Sequence, residues 1–319
     1  MELREAVLRA GWVHSGTEAS RNGVLLPHQV VTSSSDSFLG IDVGGTKIHV
    51  ALWTSAGIAE KRIATDPRGG RYVIDDIGRA VGDLAGGATS TRSVVGVPAQ
   101  LNPDGSLCEA PNLPGWNTFS IADALHEALG APVEVRNDVH LAAFGEHTWT
   151  GKQNLVFIAI GTGIGAGAIV DGRTIIGSRN GAGEIFDFPI IAEGRPQELE
   201  HIACGPGLER VYKALSGHRA SPHEILDSLE SDARAAAALN QFTRPIAMMV
   251  KAAHGFFDPE EVVCGGGLGS RPEVVRGVRG QLERLGGRAV QVRASHLGPH
   301  AATIGALALC SAADSAPVG

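Results

Sequence analysis

The chain has 319 residues, of which 43 are glycine and 4 are cysteine, and its formal net charge is −7 at pH 7. Its 27 lysine and arginine residues are dispersed, so we expect no nucleic-acid partner. No apolar run approaches the roughly 18 residues of a membrane span, and residues 1–10 lack the apolar region of a signal peptide. The composition therefore predicts a folded protein with no membrane partner.

The cysteines are too widely spaced for a metal or disulfide framework. They form no C-x-x-C pair and stand at Cys108, Cys204, Cys264 and Cys310. We interpret them as buried or incidental thiols, which fits a reducing compartment. The sequence thus predicts a cytoplasmic protein without a zinc site.

The first half of the chain alternates between predicted strands and helices. Residues 1–36 show no regular pattern, and we expect a loose N-terminal extension. Two apolar runs, 38–43 and 48–53, flank Gly44-Gly45-Thr46 and predict a β-hairpin. Apolar spacing with glycine or proline boundaries predicts the elements that follow. They are a helix over 72–84, a strand over 94–97, a helix over 121–129, a strand over 133–135 and a helix over 139–147.

The second half repeats the opening pattern. An apolar strand over 155–160 leads into a glycine loop over 161–165, and Asp171-Gly172 predicts the turn of a following hairpin. The remaining expected elements are helices within 223–257, a strand over 261–264 and a terminal helix over 301–310. Alternating strands and helices indicate an α/β protein, and the repeated pattern predicts two similar domains that face a cleft.

Three glycine-rich loops, near residues 44, 161 and 265, each follow an apolar strand directly. Glycine allows a close approach of the backbone, whose N–H groups can then point at phosphate oxygens, although each loop alone could be a simple turn. The P-loop pattern is absent. A dinucleotide fingerprint opens a helix, whereas the loop at 161–165 leads into a predicted hairpin, so a nicotinamide or flavin site is disfavoured. Asp42 could form a turn or, with Thr46, help to hold a magnesium-bound phosphate.

Two of these loops carry a family resemblance. Residues 42–47 and 160–165 together resemble the two phosphate motifs of the sugar kinase, hsc70 and actin superfamily. The chain more closely resembles a glucokinase-like member of the ROK (repressor, open reading frame, kinase) family. Further matching segments occur in the family's order at 110–116, 137–143, 181–185 and 263–267.

The resemblance implies a two-domain actin-like ATPase (ribonuclease H-like) fold with the active site in a central interdomain cleft. A small α/β domain would hold residues 37–138 plus 296–312, and a large α/β domain would hold 139–295. The implied activity is ATP-dependent phosphorylation of a hexose hydroxyl, commonly at C6. Sugar and ATP are the expected ligands, and a homodimer is the expected assembly.

The resemblance also implies roles for individual residues. Asp138 would be the catalytic base, and Asn112, Asn137 and Glu184 would hold ring hydroxyls. Asn137-Asp138 is equally typical of a helix N-cap, and both roles can hold together. Asp42 would hold magnesium through water, and Gly265, Gly266 and Gly267 would lie near the nucleoside. The residues expected to face the phosphates are Asp42, Gly44, Gly45, Thr46, Lys47, Gly161, Thr162, Gly163, Ile164 and Gly165.

The chain departs from the family after Gly183-Glu184-Ile185. Family members continue with Gly-His, a cysteine-rich zinc loop and a sugar-binding glutamate, whereas this chain continues with Phe186-Asp187-Phe188. We therefore expect no zinc site, and Glu200 is the candidate for the second sugar-binding carboxylate. Asp187 could replace the histidine and favour an amino sugar, or it could point away while ordinary glucose binds.

Three other functions were weighed against an ATP-dependent kinase. Repressors of the family carry a longer N-terminal DNA-binding module than residues 1–36 allow. A catalytically silent sugar-binding regulator would not need Asp42, Asp138 and all the glycine loops. A polyphosphate-dependent glucokinase is the remaining alternative, although no basic run suited to polyphosphate is present.

Overall fold

The fold was analysed in a computed structural model of the chain. The residues that it describes are 1–13, 37–86, 90–102, 106–109, 114–116, 119–192 and 194–312. The helices in these ranges are α1 (Leu3–Arg9), α2 (Gly70–Ala85), α3 (Ile121–Leu129), α4 (Asp138–Thr150), α5 (Gly205–Ser216), α6 (Pro222–Asp227), α7 (Ala233–Phe257), α8 (Gly266–Gly269), α9 (Pro272–Leu285) and α10 (Ala301–Ser311). None of the helices in the described ranges is long and apolar enough to cross a membrane.

The strands in the described residues form two five-stranded sheets and two short hairpins. The strands are β1 (Phe38–Val43), β2 (Lys47–Thr54), β3 (Gly57–Ala64), β4 (Arg92–Val97), β5 (Gln100–Leu101), β6 (Leu107–Glu109), β7 (Val133–Asn137), β8 (Leu155–Ile160), β9 (Ile164–Val170), β10 (Arg173–Ile175), β11 (Pro189–Ala192), β12 (Arg195–Glu198), β13 (Glu261–Gly265) and β14 (Val292–Ala294). The sheet orders are β3-β2-β1-β4-β7 and β10-β9-β8-β13-β14. The predicted α/β class is confirmed.

Both large sheets use the same pairing. β1 is antiparallel to β2 and parallel to β4, and β8 is antiparallel to β9 and parallel to β13. The hairpin predicted from the two apolar runs around residue 45 is therefore confirmed, as is the repeat of that arrangement near residue 160. Asp171 and Gly172 both have positive φ, at 50° and 74°, as a two-residue hairpin turn requires.

The described chain separates into two compact units. The first unit comprises Met1–Lys152, Thr174–Ala182 and His300–Gly319, and the second comprises Gln153–Arg173 and Gly183–Pro299. The sequence-based division assigned helix α4 to the large domain, but α4 lies in the first unit. The reason is its close packing against α10, which the sequence pattern of α4 alone does not reveal.

Two glycines permit this close helix contact. A Cβ atom on Gly145 of α4 would lie 2.3 Å from the carbonyl oxygen of Ala301, and one on Gly305 of α10 would lie 1.9 Å from that of Leu141. Both distances are far below a van der Waals contact, so any side chain at these positions would force the helices apart. Some of the 43 glycines therefore serve helix packing.

The central strand of the first sheet is buried on both faces. Leu39, Ile41 and Val43 of β1 lie on one face of the sheet and are fully buried. Gly40 lies on the opposite face and is also buried, because helix α10 approaches so closely that a Cβ on Gly40 would lie 2.9 Å from Leu307 Cγ. The sheet is therefore held firmly at the strand that carries Asp42.

The expectation of a loose N-terminal extension is wrong for residues 1–13. Leu3, Ala6 and Val7 of α1 are no more than 1% exposed, and the Trp12 ring stacks on the His300 ring at a centroid distance of 4.5 Å. Apolar residues at positions 3, 6 and 7 have the spacing of one helix face, a signal too short to stand out from the irregular residues that follow. Residues 14–36 lie outside the described residues.

Three of the four cysteines fit the interpretation as buried thiols. Cys204, Cys264 and Cys310 are free and buried. Burial raises the pKa of both Cys264 and Cys310 to about 12, so these thiols stay protonated and unreactive near neutral pH.

Two helical glycines offer a matched test of the α4–α10 contact. Gly145→Ala is expected to destabilise the protein by about 1–3 kcal/mol, because its methyl group would clash with a backbone carbonyl. Gly82→Ala is the control, because its Cβ would meet nothing within 4 Å and alanine favours helix by about 1 kcal/mol. Urea unfolding measures both. A Gly145→Ala variant as stable as the control would contradict the packing described.

Candidate active site

Two carboxylates lie at the carboxyl ends of parallel strands in the first unit. Asp42 is the penultimate residue of β1, and Asp138 follows β7 directly. The strand between them, β4, places Gly96 level with Asp42 on one side and with Arg136 on the other. A Cβ on Gly96 would lie 3.4 Å from the Asp138 Cα atom. Glycine thus keeps the space beside Asp138 clear.

Asp138 also begins helix α4, and Asn137 caps that helix. Asn137 Oδ1 accepts hydrogen bonds from the N–H groups of Val139 (2.9 Å) and His140 (3.1 Å). Asp138 Oδ1 accepts a further bond from Val139 N–H at 2.9 Å. The N-cap interpretation of Asn137 is therefore correct, and the cap fixes the Asp138 carboxylate at the positive end of the helix.

Burial raises the pKa of both carboxyl groups. The pKa of Asp138 rises to about 6 because desolvation outweighs the stabilising backbone hydrogen bonds. The pKa of Asp42 rises to about 7, chiefly through burial and then through the negative charge of Asp138. The two carboxylates are therefore close enough to interact, and the pKa of each lies nearer to neutral pH than that of an exposed aspartate.

The glycine turn after β1 is closed by its own backbone and braced by Thr65, a residue that the sequence did not single out. Gly44 N–H donates to the Lys47 carbonyl at 2.9 Å. Thr65 braces this turn, since its hydroxyl donates to the Gly44 carbonyl at 2.7 Å and its N–H to the Thr46 carbonyl at 3.0 Å. Gly45, Thr46 and Lys47 are exposed. The turn is thus fixed in shape while its tip is open to a ligand.

In the second unit, two glycine segments follow neighbouring parallel strands. The loop 161–165 follows β8, and residues 265–267 end β13 and begin α8, so both segments lie at the same sheet edge. Gly161 N–H donates to the Gly163 carbonyl at 2.9 Å and closes the first loop. Thr162 at its tip is exposed.

The last glycine segment has a packing requirement of its own. A Cβ on Gly265 would lie 2.0 Å from the Phe157 ring, and one on Gly266, where φ is +77°, would lie 2.6 Å from the Ile160 carbonyl oxygen. Gly267 faces open space, with nothing within 4 Å of its Cβ position. Close packing therefore accounts for glycine at 265 and 266, and at Gly267 the backbone is accessible.

The three candidate sugar carboxylates of the second unit are Glu184, Asp187 and Glu200. They lie in two segments, 184–188 and 199–200, that main-chain hydrogen bonds join. Glu184 is half-buried, and its segment lies beside β9, since the Gly183 carbonyl accepts a hydrogen bond from Ala166 N–H at 2.9 Å. Glu200 N–H donates to the Phe186 carbonyl at 2.9 Å, which sets it across from Asp187. Asp187 itself is exposed. Asn112, the remaining candidate sugar ligand, lies outside the described residues.

The hairpin of β11 and β12 connects these two segments. Its strands, Pro189–Ala192 and Arg195–Glu198, lie in the segment where the sequence departs from the zinc loop of the family, and they pair from Pro189–Glu198 to Ala192–Arg195. Leu199 N–H then donates to the Phe188 carbonyl at 2.9 Å and continues the pairing. Main-chain hydrogen bonds therefore hold the two segments together.

His140 is a further residue that sequence reasoning did not assign. Its Nε2 lies 2.6 Å from the Ala182 carbonyl oxygen, which immediately precedes Gly183 and Glu184 in the sequence. The ring is buried, and burial lowers its pKa, so it is neutral and Nε2–H donates to that carbonyl. The third residue of α4 thus anchors the chain just before the Glu184 motif.

Comparisons with known proteins agree with this arrangement. The ROK family model matches residues 38–313. The chain is 31% identical over 294 residues to kanosamine kinase of Amycolatopsis mediterranei, which covers 85% of this chain and 95% of that protein. It is 30% identical over 266 residues to glucokinase of Halalkalibacterium halodurans, and this match covers 72% of this chain and 80% of that protein. The structure of a ROK hexokinase from Thermus thermophilus matches with a TM-score of 0.73 at 27% identity and covers 85% of this chain and 97% of that one.

The match spans both sheets and every motif singled out between residues 42 and 267. The structural similarity confirms the expected actin-like ATPase fold class. This chain therefore belongs to the ROK family.

Proposed function

We propose that this protein is a hexose kinase that transfers the γ-phosphoryl group of ATP to a sugar hydroxyl. The observation that carries the proposal is Asp138, a half-buried carboxylate with a pKa raised to about 6, held at the start of α4 beside Asn137. The named relatives are kinases of sugars, which supports the same reaction and disfavours a silent regulator.

Asp138 is the proposed general base. Its Oδ1 accepts from Val139 N–H, and Oδ2 is the oxygen that takes the hydroxyl proton of the sugar. The sugar oxygen then forms a bond to the γ-phosphorus while the bond to the β–γ bridging oxygen breaks, and ADP leaves with that electron pair. A carboxylate with a pKa near the working pH is well matched to this proton transfer.

The glycine turns are the proposed phosphate contacts. The exposed tip of the first turn, Gly45 to Lys47, and the exposed Thr162 of the second loop offer N–H groups and hydroxyls to phosphate oxygens. The segment 265–267 would lie near the nucleoside. Closure of the site over sugar and ATP would exclude water and limit wasteful hydrolysis.

A magnesium ion fits the residues of the first unit. Asp42 is a half-buried carboxylate whose pKa is raised to about 7 because burial and Asp138 disfavour its charge, so a cation would stabilise its ionised form. Asp42 would hold the ion through water, with the Thr46 hydroxyl near the phosphates. When bound, the ion supplies charge neutralisation for the phosphates.

The proposed sugar contacts are Asn112, Asn137, Glu184, Asp187 and Glu200. Paired acceptors and donors of this kind suit the hydroxyl groups of a hexose. A glucose-like hexose is the first candidate substrate. An amino-hexose is the second, favoured by the exposed carboxylate of Asp187 and by the similarity to a kanosamine kinase.

Asp138→Asn should separate catalysis from folding. We expect kcat to fall by about 10²–10⁴-fold, because the base is lost while the amide oxygen can still accept from Val139 N–H. The pKa of Asp138 is raised in the folded state, so the folded protein loses stability relative to the unfolded chain as pH rises through about 6 and the group ionises. At pH 8 the variant, which carries no such charge, should therefore melt no lower than wild type.

The control for this variant is Asp75→Asn, an exposed aspartate of α2, which should change neither kcat nor Tm. Transfer from labelled ATP and thermal melting are the measurements. Near-normal turnover of Asp138→Asn would rule out Asp138 as the base.

A sugar panel decides between the two substrate candidates. Glucose, mannose, glucosamine and 3-amino-3-deoxyglucose would be compared with wild type and with Asp187→Asn. If Asp187 pairs with a ring ammonium, the variant should lose about tenfold in kcat/KM for the matching amino sugar and keep its glucose value.

Glu198→Gln, at an exposed carboxylate on the hairpin that follows Asp187, is the matched charge control. A clear preference of the wild type for glucose, together with no effect of Asp187→Asn on any amino sugar, would remove the amino-hexose candidate.

A further inference from the structure

Glu200 makes a contact that a sugar ligand alone would not need. Its Oε2 accepts a hydrogen bond from the backbone N–H of Ile164, in the glycine loop 161–165, at 3.1 Å. Ile164 is buried, and the carboxylate lies so close to the loop that a Cβ on Gly163 would be 2.5 Å from Oε2. The side chain is therefore seated against the proposed phosphate loop.

The short segment around Glu200 is tied to both ends of the proposed site in the second unit. Glu200 N–H donates to the Phe186 carbonyl at 2.9 Å, next to Asp187. Gly205 N–H donates to the Gly161 carbonyl at 2.7 Å, at the start of the glycine loop. The Cys204 thiol donates to the Glu200 carbonyl at 2.9 Å and closes the turn between them. One turn thus joins the Asp187 segment to the loop.

Glycine at position 163 is compatible with this position of the Glu200 carboxylate. Gly163 does not have a positive φ, so its backbone conformation does not demand glycine. The close neighbour of its Cβ position is the end of the Glu200 side chain. A glycine here leaves room for the carboxylate to reach Ile164 N–H.

We propose that Glu200 is a positioning residue that fixes the 161–165 loop in the shape that receives the nucleotide phosphates. The proposal rests on the proposed function and deepens it. Oε2 is committed to the loop, and Oε1 is the oxygen left for a sugar hydroxyl, so one side chain links the sugar side to the nucleotide side. Loss of the loop contact should then weaken nucleotide binding even when no sugar is present.

The test is the Kd of magnesium-bound AMPPNP, measured by calorimetry without sugar. Glu200→Ala should weaken binding by about tenfold, because the loop loses a hydrogen bond to a charged acceptor. Glu200→Gln should stay within about threefold of wild type, because its amide oxygen can still accept from Ile164 N–H. The near-normal Kd of the glutamine variant would show that Glu200 acts through its hydrogen bond to the loop and not through its negative charge.

Gly163→Ala is a second variant for the same AMPPNP binding experiment. Its methyl group should displace the carboxylate and weaken AMPPNP binding as Glu200→Ala does, while the double variant should be no weaker than Glu200→Ala alone. Glu198→Gln and Gly255→Ala are the controls, since Glu198 is exposed and a Cβ on Gly255 meets nothing within 4 Å. Both should match wild type in Kd, and thermal melting confirms that all variants fold.

Wild-type AMPPNP affinity in Glu200→Ala, with only the KM for sugar raised, would overturn the positioning role and leave the kinase proposal intact. Additive losses in the double variant would overturn it as well. Absence of phosphoryl transfer to every sugar by the wild-type protein is a different result, which would overturn the proposed function itself.

Discussion

The site of the first unit depends on holding two carboxylates together where water is scarce. Asp42 and Asp138 lie at the ends of parallel strands on either side of β4, and burial raises the pKa of both. Such an arrangement costs stability unless a proton or a cation compensates the charge. It persists because β1 is buried on both faces and the Asn137 cap fixes the start of α4. The energetic cost of ionising these two carboxyl groups would suit them to the proposed proton transfer and magnesium binding.

Much of the fold follows from local sequence patterns. The helix over Ile121–Leu129 begins and ends where the amphipathic spacing and Gly130 predict, and the apolar run over Leu155–Ile160 forms a central strand. Patterns of this kind report burial along one element. They do not report contacts between distant elements, so the placement of α4 against α10 through Gly145 and Gly305 could not be predicted. The short helix α1 was missed because its single apolar face is too brief a signal.

In the candidate site, too, local motifs could be predicted from the sequence and contacts between distant residues could not. Its chemistry-bearing residues, such as Asp138 and Glu184, could be named from motifs that match the family. The residues that support them could not, because Thr65, Gly96 and His140 act through long-range contacts with no motif of their own. The many glycines of the chain also have two different roles. Some glycines are candidate phosphate contacts, and others, such as Gly265, are required by packing.

Burial keeps the Asp138 carboxyl group able to exchange a proton near neutral pH. Carbon-13 NMR of protein labelled at the aspartate carboxyl carbons tests it directly, with the Asp138 resonance assigned from its loss in Asp138→Asn. We expect this resonance to titrate with a midpoint near the pKa of about 6 that burial produces, so that the group is ionised and able to act as a base above that pH. A midpoint near 4, the ordinary value for an exposed aspartate, would contradict the account.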